Sequence, residues 1–439
     1  MRTSVVTNHA ILGREELEAW IAERDDLVVE APPERHLDDA GAETWTFDAL
    51  DGPFRVWRRT ITVVPIDAVS DDIGGDIGDD TAHRFELSER IEHELAVPIW
   101  HPVFAIPIRR HLRAGPGSRT PWWAPPDVLS PRAATVLALL CTFSLVAGYL
   151  GTLITQTLTY AAGQFGASKG DQGTLLAAVR VGVLLSMVIV ATADRRGRRR
   201  ILALALMAAC VITALGAFAP GMAWLGATQT FARAFATVIG LLVAIIAVEE
   251  MPSGARAFAV SVLTICAALG AGLCVLNLVY VDLAPGAWRA AYLLPLLFLP
   301  LCWPLLRELP ETFRFSARRD AALAADAVID TLAPDHRARP DTASPAAPTT
   351  AAPISRSDRI DRGRFALLAA SGFLWSLFLA PAAQFLNEFL RTERGFSGAG
   401  IAVFVLATNT PGGIGVMLGG RLADRRGRRL IGAIGICLL

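Results

Sequence analysis

Long apolar segments separated by short polar ones fill the chain from about residue 134 onward. A helix needs about 20 apolar residues to cross a bilayer, because each residue advances it by only ~1.5 Å. Eight segments approach or exceed this length and predict membrane-spanning helices near 134–160, 174–193, 201–219, 223–248, 257–281, 290–307, 364–388 and 399–422. A last apolar stretch, Leu430–Leu439, is too short to cross, so we expect the chain to end within a ninth helix.

The first 115 residues have a mixed pattern that favours a small soluble α+β domain over membrane spans. Helical spacing of apolar residues predicts two helices, and alternation of apolar and polar residues predicts strands. The predicted helices are Arg14–Arg24 and Pro98–Leu112, and the predicted strands are Glu43–Phe47, Phe54–Val64 and Glu86–Leu95. We therefore expect a soluble domain at 1–115, called the head below.

Two polar connections flank the first six spans. The juxtamembrane linker at 116–132 contains Trp122 and Trp123, which suit the interface between lipid headgroups and water. The connection at 309–363 opens with a predicted short helix, Ser316–Leu332, and continues into a disordered stretch rich in Pro, Ala and Thr. These boundaries predict a first half of six spans at 133–308 and a partial second half at 364–439 with two helices and the start of a third.

Composition agrees with a membrane protein and excludes other classes. Charged residues make up 19% of the chain, against about 25% in a soluble domain, and hydrophobic residues make up 53%. The formal net charge is zero, so no nucleic-acid partner is expected. All six cysteines lie in apolar segments without CxxC spacing, which implies neither a disulfide framework nor a zinc site.

No motif for catalysis or for a cofactor stands out. The sequence has neither a nucleophile–base constellation nor a phosphate loop. The acidic, glycine-rich segment 71–80 does not have the spacing of a calcium loop, and Glu92-His93-Glu94 is not a zinc-protease motif. We expect no enzyme activity, no cofactor and no metal.

One seven-residue motif, ADRRGRR, occurs twice, at 193–199 and at 423–429, with an offset of 424 − 194 = 230 residues. The same offset carries the start of the first predicted span, near 134, onto the start of the seventh, near 364. A shared motif and a shared span boundary indicate two homologous halves, related by an axis normal to the membrane. The alternative is chance repetition in an arginine-rich sequence, which does not explain the shared aspartate or the span alignment.

Arginine clusters predict the orientation in the membrane. They precede the first span, lie between the second and third spans and follow the eighth, so an even number of crossings separates them. By the positive-inside rule this side is the cytoplasm. We therefore expect a multi-pass protein of the cell membrane with the head and the connection at 309–363 in the cytoplasm.

The repeated motif resembles the loop signature of the major facilitator superfamily, roughly G-x-x-x-D-R-x-G-R-R, which follows the second and the eighth helices. The second copy matches it throughout, from Gly420 to Arg429, whereas the first copy has Val190 in place of the glycine. The resemblance covers about residues 131–439. It implies an all-α polytopic membrane protein with a two-half helical bundle, six helices plus an incomplete second half, preceded here by the small α+β domain.

Three further segments resemble signatures of the same superfamily. Arg233, in QTFARAFATVIG, resembles the membrane-embedded arginine of the fourth helix. The segment 249–256 resembles the acidic–proline–arginine turn between helices four and five, and 309–314 resembles the Pro-Glu-Ser-x-Arg signature that ends helix six. The superfamily implies secondary transport, but these motifs do not specify the substrate.

The resemblance also implies a gate at the cytoplasmic mouth. There the motif aspartate can pair with loop arginines and with the N-terminal dipole of a helix in the other half. Exposed pairs contribute only about 0–1 kcal/mol each, so we interpret the network as a bistable latch, with glycine permitting the reversal between helices. The expected gate residues are Asp194, Arg195, Gly197, Arg198, Arg199, Gly420, Asp424, Arg425, Gly427, Arg428 and Arg429, extended by Glu250, Arg256, Glu311 and Arg314.

Polar residues inside the spans are candidates for the transport pathway. Arginine within a span costs about 2.5–3.5 kcal/mol on insertion scales, which favours a function for Arg233 and Arg180, although Arg180 could instead extend to the outer interface. A polar stripe on the first span predicts either a cavity lining or helix–helix hydrogen bonds; it consists of Tyr149, Thr152, Gln156 and Thr159. Weaker candidates in the second half are Gln384, Asn387 and Asn409.

The coupling ion stays unassigned, a proton being one candidate. No Asp or Glu lies within the apolar cores of the first three spans, where a proton-coupled transporter often keeps a carboxylate. Glu388 lies at the outer end of the seventh span, where an interfacial position is the simpler interpretation.

Two functions fit these features. The first is secondary transport of a small organic solute across the cytoplasmic membrane by alternating access, with the lipid bilayer and the solute as partners. The alternative is a truncated, non-transporting membrane protein with a ligand-binding head, since spans ten to twelve are absent from the sequence. The head weakly resembles the helix-grip fold of the polyketide-cyclase and lipid-transfer type, through the strands around Trp45 and Trp57 and the helix after Pro98, with another small α+β fold as the alternative.

Overall fold

The computed structural model describes residues 3–37, 42–66, 84–115, 120–309 and 362–437. The acidic segment 71–80, the predicted helix Ser316–Leu332 and the gate candidates Glu311 and Arg314 lie outside these residues. The described part of the chain consists of an antiparallel sheet domain followed by a helical bundle, as the sequence predicts.

The head is a six-stranded antiparallel sheet with two helices. The strand order is β1-β6-β5-β4-β2, and β3 also pairs with β4. The strands are β1 (Ser4–Leu12), β2 (Val29–Glu30), β3 (Glu34–Leu37), β4 (Glu43–Asp51), β5 (Phe54–Ile66) and β6 (Arg84–Leu95), and the helices are α1 (Arg14–Ile21) and α2 (His101–Arg113). The three predicted strands and both helices are confirmed, whereas β1, β2 and β3 were not predicted.

Alternation along β6 places one face of the sheet in the core, because successive side chains of a strand point to opposite faces. Leu87, Glu89 and Ile91 on that face have no solvent exposure. The buried Glu89 carboxylate is paired with Arg59 of β5, whose Nε lies 2.6 Å from it, while Arg59 Nη1 lies 2.9 Å from Glu30. Burial raises the pKa of Glu30, and Arg59 offsets this only in part. Glu30, Arg59 and Glu89 therefore form one paired network inside the head.

The bundle contains helices at all eight predicted positions. In the first half they are α3 (Pro131–Phe165), α4 (Lys169–Arg196), α5 (Arg198–Leu215), α6 (Met222–Glu250), α7 (Arg256–Leu276) with its short continuation α8 (Leu278–Val281), α9 (Arg289–Leu293) and α10 (Pro295–Glu308). In the second half they are α11 (Arg362–Thr392), α12 (Gly398–Arg426) and α13 (Arg428–Cys437).

Six described helices are long and apolar enough to cross a membrane, and a seventh crossing is added if the bent segment 289–308 counts as one. That segment bends by 42° between Pro300 and Cys302, since proline removes a backbone donor and crowds the preceding turn. Within α11, the stretch Phe365–Leu374 is also apolar, but it is shorter than these spans. The chain is therefore a multi-pass membrane protein.

Both copies of the repeated motif end in the same helix–helix turn. Gly197, between α4 and α5, has φ 94° and ψ 131°, and Gly427, between α12 and α13, has φ 98° and ψ 133°. Residues with a Cβ atom rarely adopt this backbone conformation, so glycine is required at both turns. The matching angles agree with the prediction of two homologous halves.

Close contact between α3 and α7 builds the core of the first half. A Cβ atom at Gly148 would overlap the carbonyl oxygen of Ala267, and one at Gly270 would overlap that of Leu145. Ser144 Oγ also donates to the Leu263 carbonyl at 2.7 Å. Small residues that let two backbones touch are typical of helix packing in membranes.

The head rests against one end of the bundle, called the head end below; the opposite end is called the far end. Thr135 Oγ1 of α3 donates to the Ala96 carbonyl at 2.9 Å, and Trp100 Nε1 of the head donates to the Ala138 carbonyl at 3.1 Å. The linker is bound as well, because Asp127 Oδ2 accepts a 2.9 Å hydrogen bond from the Gly254 backbone N–H.

Candidate functional site

The two halves of the bundle meet along a seam formed by α7 and α12, which run antiparallel. At the head end, Asp424 of α12 accepts hydrogen bonds from the backbone N–H groups of Ala257, at 3.2 Å, and Phe258, at 2.7 Å. These are among the first N–H groups of α7, which have no partner within their own helix and carry the positive end of its dipole. The predicted aspartate thus lies at the N-terminus of a helix in the other half.

A glycine brings the two helices together at the same end of the seam. A Cβ atom at Gly420 would overlap the side chain of Ser261 and lie 3.0 Å from the Ala257 carbonyl oxygen, whereas a Cβ atom at the neighbouring Gly419 would meet nothing within 4 Å. Gly420 is therefore a position at which α12 approaches α7 closely.

The first copy of the motif makes its described contacts within its own half. Arg198 pairs with Glu249 at the end of α6, and Arg199 Nη2 donates to the Arg307 carbonyl at 3.2 Å. The side chains of Asp194 and Arg195 lie outside the described residues, so the structure does not test their predicted roles.

The acidic–proline–arginine turn also contacts the first half. Glu250 lies 3.2 Å from Arg132 at the start of α3, whereas Arg256 Nε donates to the Met251 carbonyl at 3.2 Å. Glu250 and Arg256 therefore bind different partners at the head end.

In the second copy, the arginine that makes the closest contact is one that the motif does not specify. Arg421 is 8% exposed and donates to the carbonyls of Trp122, at 2.9 Å, and Ala124 in the linker. Arg425 and Arg429 are exposed, and the side chain of Arg428 lies outside the described residues. Arg421 was not predicted from the sequence. The available signal was its alignment with Ala191, which shows a charge in the second copy where the first copy has none.

The far end of the seam has an equivalent arrangement, which was also not predicted from the sequence. Asp282, directly after α8, accepts a 2.6 Å hydrogen bond from the backbone N–H of Gly398, the first residue of α12, and lies 2.8 Å from Arg391 of α11. Burial raises the pKa of Asp282, but these two partners outweigh it and hold the pKa below its usual value. The sequence signal for this contact was the opposite charge of Asp282, which follows the fifth predicted span, and Arg391, which follows the seventh.

Polar side chains from both halves meet between the two ends. Asn387 Nδ2 of α11 donates to Gln156 Oε1 of α3 at 2.7 Å, and Asn387 is 4% exposed. With its amide oxygen oriented toward α4, Gln384 lies 3.0 Å from Arg180 Nη2. The predicted candidates Gln156, Arg180, Gln384 and Asn387 therefore come together across the two halves.

Other pathway candidates bond within the first half or within their own helix. Arg233 Nη1 of α6 donates to the Gly151 carbonyl of α3. Tyr149 is fully buried and donates to the Ala291 carbonyl at 2.7 Å, and Thr152 Oγ1 donates to the Gly148 carbonyl at 2.8 Å. For Tyr149 this geometry corresponds to helix–helix hydrogen bonding, one of the two alternatives that the sequence left open.

Asn409 and Glu388, both in the second half, differ in their hydrogen bonding. Asn409 Nδ2 donates to the Val405 carbonyl of its own helix at 2.8 Å. Glu388 has one carboxylate oxygen that is buried and has no hydrogen-bond partner among the described residues. Its environment is therefore less exposed than an interfacial position would suggest.

Residues 138–439 match the family model described as Major Facilitator Superfamily. This match covers more than half of the chain, so the chain belongs to the major facilitator superfamily. Members of this family are secondary transporters rather than enzymes. No curated protein matches the chain.

Proposed function

We propose that this member of the major facilitator superfamily moves a small organic solute across the cell membrane by alternating access, with its head in the cytoplasm. The observation that carries the proposal is the contact of Asp424 with the N-terminus of α7. Asp424 belongs to the second half and α7 to the first, so this contact must break when the halves separate at the head end. It consists of hydrogen bonds from backbone N–H groups to a carboxylate, which can form and break without repacking of an apolar core.

The orientation follows from the charges at the head end. Arg198, Arg199, Arg421 and Arg425 all lie there, together with the arginines of α2. Excess arginine marks the cytoplasmic side of a bilayer. The Asp424 contact is accordingly a cytoplasmic gate, and Asp282 closes the opposite side.

The solute pathway runs between the halves, past the polar residues that meet there. Gln156 and Arg180 come from the first half, and Gln384 and Asn387 from the second. These amides and the guanidinium hydrogen-bond each other in the described conformation. They become available to a solute when the halves separate, which is how a site near the middle of the bilayer is exposed alternately to each side.

Arg233 positions α3 along this pathway. Its guanidinium is held by the carbonyl of Gly151, which precedes Gln156 by five residues on α3. An arginine within a span is costly unless it has such a partner. Loss of Arg233 therefore disturbs the pathway without removing a residue of the seam.

Uptake of labelled organic solutes into proteoliposomes containing the purified chain tests the proposal. We expect saturable uptake of at least one solute, its loss in Arg233→Ala, and its retention in Gly240→Ala on the same helix, where a Cβ atom would meet nothing within 4 Å. Uptake that is never saturable, or that survives Arg233→Ala unchanged, would contradict the proposal. Thermal unfolding of each variant separates lost transport from lost folding.

A further inference from the structure

A largely apolar pocket of about 360 Å³ lies where the head, the linker and the bundle meet, and we call it the junction pocket. It falls within the range of about 300–1,000 Å³ that is usual for ligand sites in proteins. Side chains from all parts of the junction line it, among them Leu95, Val103, Trp123, Leu137, Val262 and Leu269.

The junction pocket is elongated along the membrane spans. Phe258, Val262, Ile265 and Leu269 of α7 line it at the spacing of one helical face. From Phe258 to Leu269 the helix rises about 16 Å at ~1.5 Å per residue. Leu269 and Val103 remain 51% and 61% exposed, so the pocket has an open side with apolar edges.

The charges near the junction pocket are already neutralised. Among the described residues of its wall, Asp26 is the single charged side chain, and it lies 2.9 Å from Arg24 Nη2 and 2.7 Å from His111 Nε2. The indole nitrogen of Trp100, another wall residue, is bound to the Ala138 carbonyl and to Thr142. The wall therefore offers an incoming molecule apolar contact rather than free polar partners.

We propose that the junction pocket binds a single acyl chain, held between the head and the spans α3 and α7. A flexible hydrocarbon chain matches the length, the volume and the apolar walls of the pocket, and burial of each CH₂ group contributes about 0.8 kcal/mol. The chain belongs either to a bilayer lipid or to a free fatty acid, and the two differ only in what lies outside the pocket. Because the bound chain contacts both the head and the bundle, its presence stabilises the docked head.

Quenching of Trp123 fluorescence by brominated acyl chains tests this site. The signal is the difference between the full chain and Trp123→Phe, measured in two arms: dibrominated stearate added to protein in detergent, and nanodiscs of dibrominated phosphatidylcholine. We expect saturable quenching, about tenfold weaker in Val262→Phe and in Ala138→Phe, which fill the pocket from two different helices. Ala227→Phe, on an exposed position of α6, is the matched control and should behave as the unmodified chain.

Each outcome bears on the proposal. Quenching only in nanodiscs identifies a bilayer lipid as the source, and quenching only by stearate identifies a free fatty acid; either supports the site, provided that the filled variants lose it. Absence of quenching in both arms, or equal quenching in both filled variants that still unfold cooperatively, would overturn it. Filling from two helices ensures that one misfolded variant does not decide the result.

Discussion

The two ends of the seam between α7 and α12 share one arrangement but differ in environment. At each end an aspartate accepts a hydrogen bond from the first backbone N–H groups of the neighbouring helix, and a glycine lies at the contact. At the head end Asp424 binds two N–H groups, and the linker lies against the same helix. At the far end Asp282 binds one N–H group and pairs with Arg391, each side chain being 37% exposed.

This difference indicates which end separates more easily. An exposed ion pair contributes about 0–1 kcal/mol, because water and salt screen it. The buried contacts of Arg421 and the close approach at Gly420 stabilise the head end through groups that water cannot readily replace. We therefore expect the described conformation to open first at the far end.

Two reporter cysteines make the comparison measurable. Ser261→Cys lies opposite Gly420 at the head end, and Ala402→Cys is buried near the far end. The five native cysteines whose side chains the structure describes are buried. With Cys437→Ser in both reporter variants, we expect the background labelling by thiol reagents to be low. We expect the far-end reporter to be labelled faster in the unmodified chain, and equal rates would remove the distinction between the ends.

Arg421→Ala should have the largest effect at the head end. It leaves the carbonyls of Trp122 and Ala124 without their charged donor, and each such hydrogen bond contributes about 1.5–3 kcal/mol. We expect the linker to become sensitive to protease and the labelling of Ser261→Cys to rise. Arg425→Ala, which removes an exposed arginine from the next turn of the same helix, is the control. Equal behaviour of the two variants would show that the linker does not stabilise the head end.

Gly420→Ala should have the next largest effect. The added methyl group overlaps the Ser261 side chain, and overpacking of this kind costs about 1–3 kcal/mol. Gly419→Ala adds the same methyl group one residue earlier, where nothing lies within 4 Å, and should leave stability unchanged or raise it. Thermal unfolding of the two variants in detergent checks the prediction, which is wrong if their midpoints coincide.

Asp424→Asn should weaken the gate by about 1 kcal/mol, because the amide keeps one acceptor oxygen but loses the charge that favours the α7 N-terminus. The rate of Ser261→Cys labelling should rise about fivefold, since ~1.4 kcal/mol corresponds to a factor of ten. Labelling of Ala402→Cys is the internal control. A variant in which neither labelling nor uptake changes would show that Asp424 is not part of the gate.

Asp282→Asn should have the smallest effect, below about 1 kcal/mol, because its ion pair is exposed. The same site predicts a pH dependence. The folded-state pKa of Asp282 is lowered, so its contribution is present above the unfolded value near ~3.9 and is lost as pH falls through the folded value. Labelling of Ala402→Cys should therefore be constant between about pH 5 and pH 8, and a change in that interval would implicate another titrating group.

Sequence patterning predicted the bundle and the position of Asp424 at the head end of the seam, but it predicted neither the Arg421 contact nor the far end. Asp424 and the glycine turns lie within a repeated motif, so the position of the motif in the chain was enough to predict where these residues lie. Asp282 and Arg391 are 109 residues apart and belong to no repeat, and their contact depends on how α8, α11 and α12 pack. Strand β1 was missed for a related reason, since its partner β6 lies some 80 residues later in the chain.

The glycine contacts between α3 and α7 have a mechanical consequence. The backbones of Gly148 and Gly270 touch the opposing helix, so neither helix can slide or rotate past the other without a clash. The two helices therefore move as one rigid body. Asp424 binds the N-terminus of α7, and Asp282 lies directly after α8, which continues α7 at its other end. Separation of the seam at either end therefore displaces α7 and α3 together. A spectroscopic label attached to α3 would accordingly report displacement of α7, although α3 forms no part of the seam with α12.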